Sequence, residues 1–153
     1  MIRVLAGSTL LASTLVACGG NCPADKQIDA WHDLDRDGWG GERAAVCKLA
    51  DVPVSGALGV IVDATPVAVV RDSDGVLHAI RDICSHADVA LSEGEVDGCT
   101  LECWLHGSRF DLRTGQPTGP PATTSVPVYA VSIEGDGDDA VVLVDITVNA
   151  AAR

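Results

Sequence analysis

Short runs of Val, Ile, Leu and Ala, separated by turns rich in Gly and Asp, make up the chain from Ala45 onward. Asp74-Gly75 separates the runs Val67–Arg71 and Val76–Asp82, which predicts a β-hairpin. The segment "VYAVSIEGDGDDAVVLVDITV" repeats this design around Gly135-Asp136-Gly137. Further turns are expected at Asp97-Gly98 and Thr114-Gly115. Short runs of this kind, without helical periodicity, predict an all-β fold, either an antiparallel β-sandwich or a small barrel.

Residues 1–18 follow a different pattern, with one Arg and then an uncharged stretch from Val4 to Ala17. This stretch is too short to span a bilayer and suits the apolar region of a signal peptide. It ends in Leu15-Val16-Ala17-Cys18, which resembles a bacterial lipobox, and lipidated Cys18 would then attach the protein to a membrane surface. The alternatives are an apolar N-terminus without this role and a misplaced start codon.

Residues 19–44 are predicted to form an acidic linker that contains Asp33, Asp35 and Asp37 before Gly38. Alternating carboxylates followed by Gly match the first half of an oxygen-ligand Ca²⁺ loop. The closing Glu of such a loop is missing, so the alternative is an acidic, solvated turn. If this segment is outside the cytoplasm, Cys22 and Cys47 could form a disulfide.

The composition excludes some partners and supports one compact domain. The chain is 47% hydrophobic and has 153 residues, enough for one aliphatic core with a short appendage. Its net charge of −12 argues against nucleic acid, whose phosphates require a basic face. An acidic surface fits either a transient contact with a basic protein partner or simple solubility.

Two cysteine–histidine pairs carry the candidate chemistry. They are Cys84-Ser85-His86 and Cys103-Trp104-Leu105-His106, with sixteen residues between His86 and Cys103. Thiolate and imidazole ligands together suit Zn²⁺ or an iron–sulfur cluster. A zinc finger groups Cys with Cys and His with His, whereas each pair here mixes the two. Two thiolates can therefore converge on one iron and two imidazoles on another, as in a Rieske 2Fe–2S centre. A structural zinc site is the alternative.

The four ligands, both spacings and Gly107 after the last His resemble the Rieske signature. The segments "VCKLADVP", "TPVAVVRD" and "LHAIRDICSHADVALSEGEVDGCTLECWLHGSRFDLRTG", together with the proline-containing "PTGPPA", resemble soluble Rieske-type ferredoxins, the ferredoxin subunits of non-haem iron oxygenases. This resemblance covers residues 45–146 and leaves 147–153 as a C-terminal tail. It implies an antiparallel β-sandwich with a cluster-binding subdomain of two loops.

The resemblance also implies roles for individual residues. Cys84 and Cys103 would bind the iron that stays ferric, and His86 and His106 the outer, reducible iron. The loop around Pro120 and Pro121 is expected to cover the cluster. Trp104 is expected to pack over the cluster loop, with a docking role as the alternative. Two residues outside the motif are given structural roles, His78 on a strand surface and Cys99 as a buried or free thiol.

Two departures from respiratory Rieske proteins bear on the reduction potential. The extra cysteines of that branch are replaced by Val89 and Leu105, and its cluster-donating tyrosine by Phe110. Ser108 remains at the position of the other donor. Fewer hydrogen bonds to cluster sulfur disfavour the reduced state, so a potential at the low end of the Rieske range is expected, raised slightly by Ser108.

The resemblance implies a one-electron carrier between a reductase and an oxygenase or similar acceptor, and no catalysis by this chain alone. The alternatives are a small Rieske subunit of a larger oxidoreductase, as in nitrite reductase, and a surface lipoprotein with a structural metal site. The lipobox predicts an extracytoplasmic, membrane-anchored protein. Iron–sulfur clusters are built in the cytoplasm, however, and no Arg-Arg precedes the apolar run, so a cytoplasmic location is the other alternative.

Overall fold

The computed structural model describes residues 43–149, and the strands in this range all pair antiparallel. Two short 3-10 turns, Leu49–Asp51 and Gly137–Asp139, interrupt the strands. Across the described range, no helix has the length and apolar character needed to cross a membrane. The strands are β1 (Ala44–Lys48), β2 (Gly56–Val62), β3 (Thr65–Arg71), β4 (Leu77–Arg81), β5 (Glu95–Asp97), β6 (Thr100–Glu102), β7 (Arg109–Asp111), β8 (Val128–Glu134) and β9 (Val141–Asn149).

Two sheets divide the molecule into a base and an insert. The base is a six-stranded sheet in the order β1-β9-β8-β4-β3-β2, and the smaller sheet has the order β5-β6-β7. The chain leaves the base after β4 and returns at β8, where Ile80 pairs with Val128. The amide of Arg81 donates a hydrogen bond to the carbonyl of Pro127 at 2.9 Å. Residues 82–126 between these points are called the insert below.

Both predicted hairpins are confirmed. β3 and β4 pair with Arg71 opposite Leu77, and Gly75 in the turn has φ +85°, a conformation that favours glycine. β8 and β9 pair on either side of the turn at Gly135-Asp136-Gly137. β9 continues to Asn149, into the predicted C-terminal tail. The all-β prediction is therefore correct for the described residues.

The strand β3 is buried on both faces, because the base sheet lies between two apolar clusters. Val67 and Val69 face one cluster, and Ala68 and Val70 face the other. The cluster below the insert also takes residues from it, so the insert packs on the base through a continuous core. Its buried members are Ala68, Val70, Ile80, Cys84, Leu91, Leu101, Cys103, Phe110, Leu112, Ala122, Val126 and Val128.

His78 is buried, so its predicted position on a strand surface is wrong. Its side chain is 5% exposed, and its Nε2 lies 2.9 Å from Oδ2 of the fully buried Asp72. Burial alone raises the pKa of Asp72, but hydrogen bonds from His78 and from the amides of Val76 and Asp74 outweigh it and lower the pKa. His78 pairs with Val70 on the face that the insert covers, which alternation along one strand does not reveal.

Candidate metal centre

The first cluster loop follows β4 and is held by a buried carboxylate. Asp82 accepts hydrogen bonds from the amide of Ser92 at 2.6 Å and from its hydroxyl at 2.7 Å. Between them, the amide of Cys84 donates to the carbonyl of Val89, and the amide of Asp88 donates to the carbonyl of Cys84. These bonds fold the loop into a tight turn that fixes the direction of the Cys84 side chain.

The second cluster loop follows β6 and closes in a similar way. The amide of Cys103 donates to the carbonyl of Ser108 at 2.8 Å, and the amide of Gly107 donates to the carbonyl of Cys103 at 3.0 Å. Gly107 has φ +71°, which L side chains rarely adopt. The glycine after the second histidine of the motif is therefore required by the backbone of this turn.

The structure places the four predicted ligands in two pairs, one of thiols and one of imidazoles. Cys84 and Cys103 are buried, and their thiols are hydrogen-bonded to each other. His86 and His106 are exposed, and their rings meet edge to face with centroids 5.0 Å apart. The site therefore presents two sulfurs towards the core and two imidazoles towards solvent.

The thiol of Cys103 is held in its protonated form. Burial raises the pKa of Cys103, and the neighbouring Cys84 raises it further. Backbone hydrogen bonds from Leu105 and His106 act in the opposite direction, but the net change is a raised pKa. Because only thiolates ligate metal, metal binding at the Cys103 sulfur releases a proton.

The donor set fits a [2Fe–2S] cluster with mixed ligands. Two sulfurs side by side can hold one iron, and two imidazoles side by side can hold a second iron nearer the surface. The separation of thiols and imidazoles into two neighbouring pairs serves two metal ions, whereas a single tetrahedral zinc ion needs no such separation. The amides directed at the Cys103 sulfur are donors of the kind that adjust the potential of iron–sulfur clusters.

A third loop, between β7 and β8, lies against both cluster loops. It contains Pro120 and Pro121, which are joined by a cis peptide bond. The hydroxyl of Ser85 donates to the carbonyl of Thr124 at 2.6 Å, and the amide of Ala122 donates to the hydroxyl oxygen of Ser108 at 3.2 Å. One hydrogen bond thus attaches this proline loop to each cluster loop.

Replacing Ser108 with alanine is expected to destabilise the protein by about 1–2 kcal/mol, because the buried amide of Ala122 loses its acceptor. Ser108 is completely buried, so water does not replace the lost oxygen. Urea unfolding of the cluster-loaded protein measures the effect. Ser125→Ala, at an exposed position of the same loop, is the control and is expected to change the stability by less than about 0.5 kcal/mol. Equal effects of the two substitutions would contradict this role of Ser108.

Of the residues that distinguish the site from respiratory Rieske proteins, some are buried and others are exposed. Phe110 is fully buried and offers no hydroxyl, and Val89 packs against the same core. Trp104 is 52% exposed and Leu105 is 38% exposed. About half of the Trp104 surface is therefore open to solvent, which leaves room for a contact with a partner.

The contacts that hold the loops in place are not predictable from the sequence. The Asp82–Ser92 and Ser85–Thr124 hydrogen bonds connect residues ten or more positions apart, and no local pattern predicts them. In the sequence, Asp82 and Ser92 stand out only as polar residues near the first ligand pair. The hydrogen bonds fix the two loops that carry the ligands.

Several predicted sites lie outside the described residues, namely the lipidation site Cys18 and the calcium turn at Asp33, Asp35 and Asp37. They stay predictions. Cys47 carries a free thiol, so the disulfide considered between Cys22 and Cys47 is not formed. Cys99 is buried, as predicted for one alternative, but it is disulfide-bonded, and the free-thiol alternative is wrong.

Comparison with known proteins agrees with this geometry. Residues 42–130 match the family model described as the Rieske [2Fe-2S] domain. The ferredoxin subunit of 3-phenylpropionate/cinnamic acid dioxygenase from Escherichia coli K12 is 40% identical over 94 residues, which cover 61% of this chain and 87% of that protein.

Two solved structures are similar in sequence and fold. The ferredoxin of carbazole 1,9a-dioxygenase from Nocardioides aromaticivorans IC177 is 35% identical with a TM-score of 0.58, covering 67% of this chain and 96% of that one. A chain in the complex of reduced oxygenase and oxidised ferredoxin of carbazole 1,9a-dioxygenase is 32% identical with a TM-score of 0.56, covering 67% of this chain and 92% of that one.

Proposed function

The chain belongs to the Rieske [2Fe-2S] domain family, and on this premise we propose that it passes single electrons from a reductase to an oxygenase or similar acceptor. The observation that carries the proposal is the pair of exposed imidazoles above two buried sulfurs. Electron transfer between proteins requires a redox centre close to the surface, and His86 and His106 form that exposed edge. The solved complex of a related ferredoxin with its oxygenase supports an acceptor of this class.

Cys84 and Cys103 are proposed to hold the inner iron of the cluster, and His86 and His106 the outer iron. When bound, such a cluster supplies a one-electron couple, with potentials between about −150 and +300 mV in Rieske centres. The side chains around this site give few hydroxyl donors, since Phe110 has none. A value near the lower limit is therefore expected.

EPR of the dithionite-reduced full-length protein, with iron and zinc counted on the same sample, tests the proposal. A Rieske-type rhombic signal with about two irons per chain is the expected result. About one zinc per chain without a signal would indicate a structural tetrahedral site and would overturn the electron-carrier function.

Trp104 and Leu105 lie in the same loop as His106 and form an exposed apolar rim at the proposed electron exit. Aromatic residues of this kind often dominate the binding energy of protein interfaces. Trp104→Ala is expected to slow electron transfer to the acceptor by at least about tenfold while leaving the reduction potential unchanged. The electron-transfer rate, measured by stopped flow with the acceptor oxygenase, tests this effect.

Ile133→Ala is the matched control for Trp104→Ala. Ile133 is also a large exposed apolar residue, 49% exposed, but it lies on β8 in the base sheet rather than in a cluster loop. We expect it to leave the electron-transfer rate unchanged. If both substitutions slowed the reaction equally, the apolar rim would not be the docking site.

We propose that the chain is a carrier and catalyses no reaction alone. A ring-hydroxylating catalytic subunit also needs a mononuclear iron site with two His and one carboxylate. The described histidines are His78, in the buried pair with Asp72, and the two ligands of the exposed edge. The net charge of −12 supports partners with basic docking surfaces.

The protein is proposed to work outside the cytoplasm, attached to a membrane through lipidated Cys18. The support is the lipobox-like Leu15–Cys18 and the disulfide at Cys99, because disulfides persist mainly in oxidising compartments. Palmitate labelling and membrane fractionation test it, with Cys47→Ser as the matched cysteine control. A Cys18→Ala protein that stayed in the membrane fraction would exclude lipidation as the anchor, and labelling that persisted in this variant would do the same.

A further inference from the structure

A buried carboxylate lies next to the proposed cluster ligands. Asp82 is 7% exposed and follows β4 directly, two positions before the ligand Cys84. Because one residue spans at most about 3.6 Å of chain, the Cα atoms of Asp82 and Cys84 are at most about 7 Å apart. A negative charge on Asp82 is therefore close to the place where an electron is proposed to arrive.

The base and the insert both fix the position of this carboxylate. The amide of Asp82 donates a hydrogen bond to the carbonyl of Pro66 on β3 at 3.0 Å. Its side chain binds Ser92 at the far end of the first cluster loop, with Oδ1 accepting from the amide at 2.6 Å and Oδ2 from the hydroxyl at 2.7 Å. The charge therefore keeps one location relative to the loop that carries Cys84.

The strand β2 covers the carboxylate from the side of the base. Gly59 lies on this strand, and a Cβ added to it would lie 2.9 Å from Oδ2 of Asp82 and 2.7 Å from Oγ of Ser92. The backbone of β2 thus packs directly against the Asp82–Ser92 pair, where no side chain larger than hydrogen fits. This packing separates the carboxylate from solvent.

The charge of Asp82 is not balanced by a neighbouring cation. Both of its oxygens accept hydrogen bonds, as those of an ionised carboxylate do. Arg81 pairs with Val67, which faces the apolar cluster on the side of the base sheet away from the insert, and its own side chain is exposed. Within residues 43–149, the carboxyl groups in ion pairs are those of Asp72, Asp97, Glu102, Asp111 and Asp139.

We propose that the buried charge of Asp82 holds the reduction potential of the cluster low, a role that rests on the proposed function. Reduction by one electron from the reductase adds one negative charge to the site, and the carboxylate repels it. In the protein interior an effective dielectric constant of about 20, in place of about 80 in water, makes this repulsion about four times stronger at the same distance. The repulsion favours passing the electron on to the acceptor, and it acts independently of the hydroxyl that Phe110 lacks.

Asp82→Asn in the full-length, cluster-loaded protein separates the charge from the hydrogen bonds. The amide oxygen of Asn can accept from the amide of Ser92, and its NH₂ group can donate to the hydroxyl oxygen, so that only the charge is lost. The equilibrium constant for one-electron reduction is expected to rise at least about fivefold. An anaerobic potentiometric titration followed by EPR measures it as the ratio of reduced to oxidised cluster at one fixed potential.

Asp88→Asn is the matched control, because Asp88 is an exposed residue of the same loop. Water and salt screen its charge, so the equilibrium constant is expected to change less than about twofold. Ser92→Ala removes the hydroxyl but keeps the charge of Asp82, and it is also expected to change the constant less than about twofold. Raising the ionic strength from about 0.01 M to about 1 M shortens the screening length from about 30 Å to about 3 Å. The difference between wild type and Asp82→Asn is expected to persist, since the carboxylate is buried.

The EPR signal of the wild-type protein tests the proposed function separately. If the Rieske-type signal were absent, the electron-carrier function would fail and this inference with it. With the signal present, an unchanged reduction potential in Asp82→Asn would overturn this inference alone. An equal shift in Asp88→Asn or Ser92→Ala, or a shift that salt abolishes, would also overturn it. Loss of the cluster from Asp82→Asn would make the carboxylate a structural requirement and would exclude the role in setting the potential.

Discussion

Replacing His106 with alanine is expected to abolish the EPR signal of the reduced protein and to lower its iron content. His106 provides one of two exposed imidazoles, and its loop contributes no other nitrogen or sulfur ligand in its place. Without this imidazole, the residues that would hold the cluster lack one ligand, so the cluster would be open to solvent and would be lost. EPR of the dithionite-reduced variant, with iron counted per chain, measures the effect.

The matched control for this experiment is His32→Ala, which removes a histidine outside the motif and is expected to leave both the signal and the iron content unchanged. His106→Cys gives a second, graded outcome. Cysteine can ligate iron, and clusters held by cysteine alone have potentials near about −400 mV. The potential of the His106→Cys protein is therefore expected to fall from the Rieske range towards this value. A His106→Ala protein with an unchanged EPR spectrum would show that the ligand assignment is wrong.

Replacing Gly115 with alanine is expected to destabilise the protein by about 3 kcal/mol and to accelerate loss of the cluster. Gly115 has φ +69°, which costs an L side chain about 1–2 kcal/mol, and its added Cβ would overlap the carbonyl oxygen of Val126. The amide of Val126 donates a hydrogen bond to the carbonyl of Gly115, so the two segments are unable to separate without losing it. Urea unfolding and the decay of visible absorbance in a chelator measure the two effects.

Gly119→Ala is the matched control. Gly119 belongs to the same loop, but a Cβ there would have no atom within 4 Å. We expect it to change the free energy of unfolding by less than about 0.5 kcal/mol and to leave cluster retention unchanged. Similar destabilisation by both substitutions would show that the close approach at Gly115 does not hold the proline loop over the site.

Local patterns account for the parts of the structure that the sequence predicted. Asp74-Gly75 and Gly135-Asp136-Gly137 determine their hairpins because a tight turn needs a residue with positive φ, and glycine adopts this conformation without strain. The ligand pairs are similarly local, since each lies in one loop whose backbone closes on itself. Gly107 follows the second histidine for the same reason.

The errors concern residues whose surroundings come from distant parts of the chain. The surface position predicted for His78 is wrong because alternation along β4 does not show whether a second layer covers the strand. The insert supplies that layer, and Cys99 in it lies beside Asp72, 27 residues away in sequence. The Asp82–Ser92 bond is hidden in the same way, because side chains of this type are common in solvated turns.

The insert begins and ends at neighbouring rungs of the base sheet, with the amide of Arg81 bonded to the carbonyl of Pro127. A segment with adjacent ends can be exchanged without moving the scaffold that carries it, because the closure entropy changes only slowly with the length of the segment. A short tight turn between β4 and β8 could thus replace the whole insert and leave the six-stranded base sheet. Conversely, the insert could be grafted onto an antiparallel hairpin of another protein, provided that the hairpin offers an apolar face on which the core of the insert can pack. The insert, which carries the cluster ligands, and the base sheet can therefore change independently during evolution.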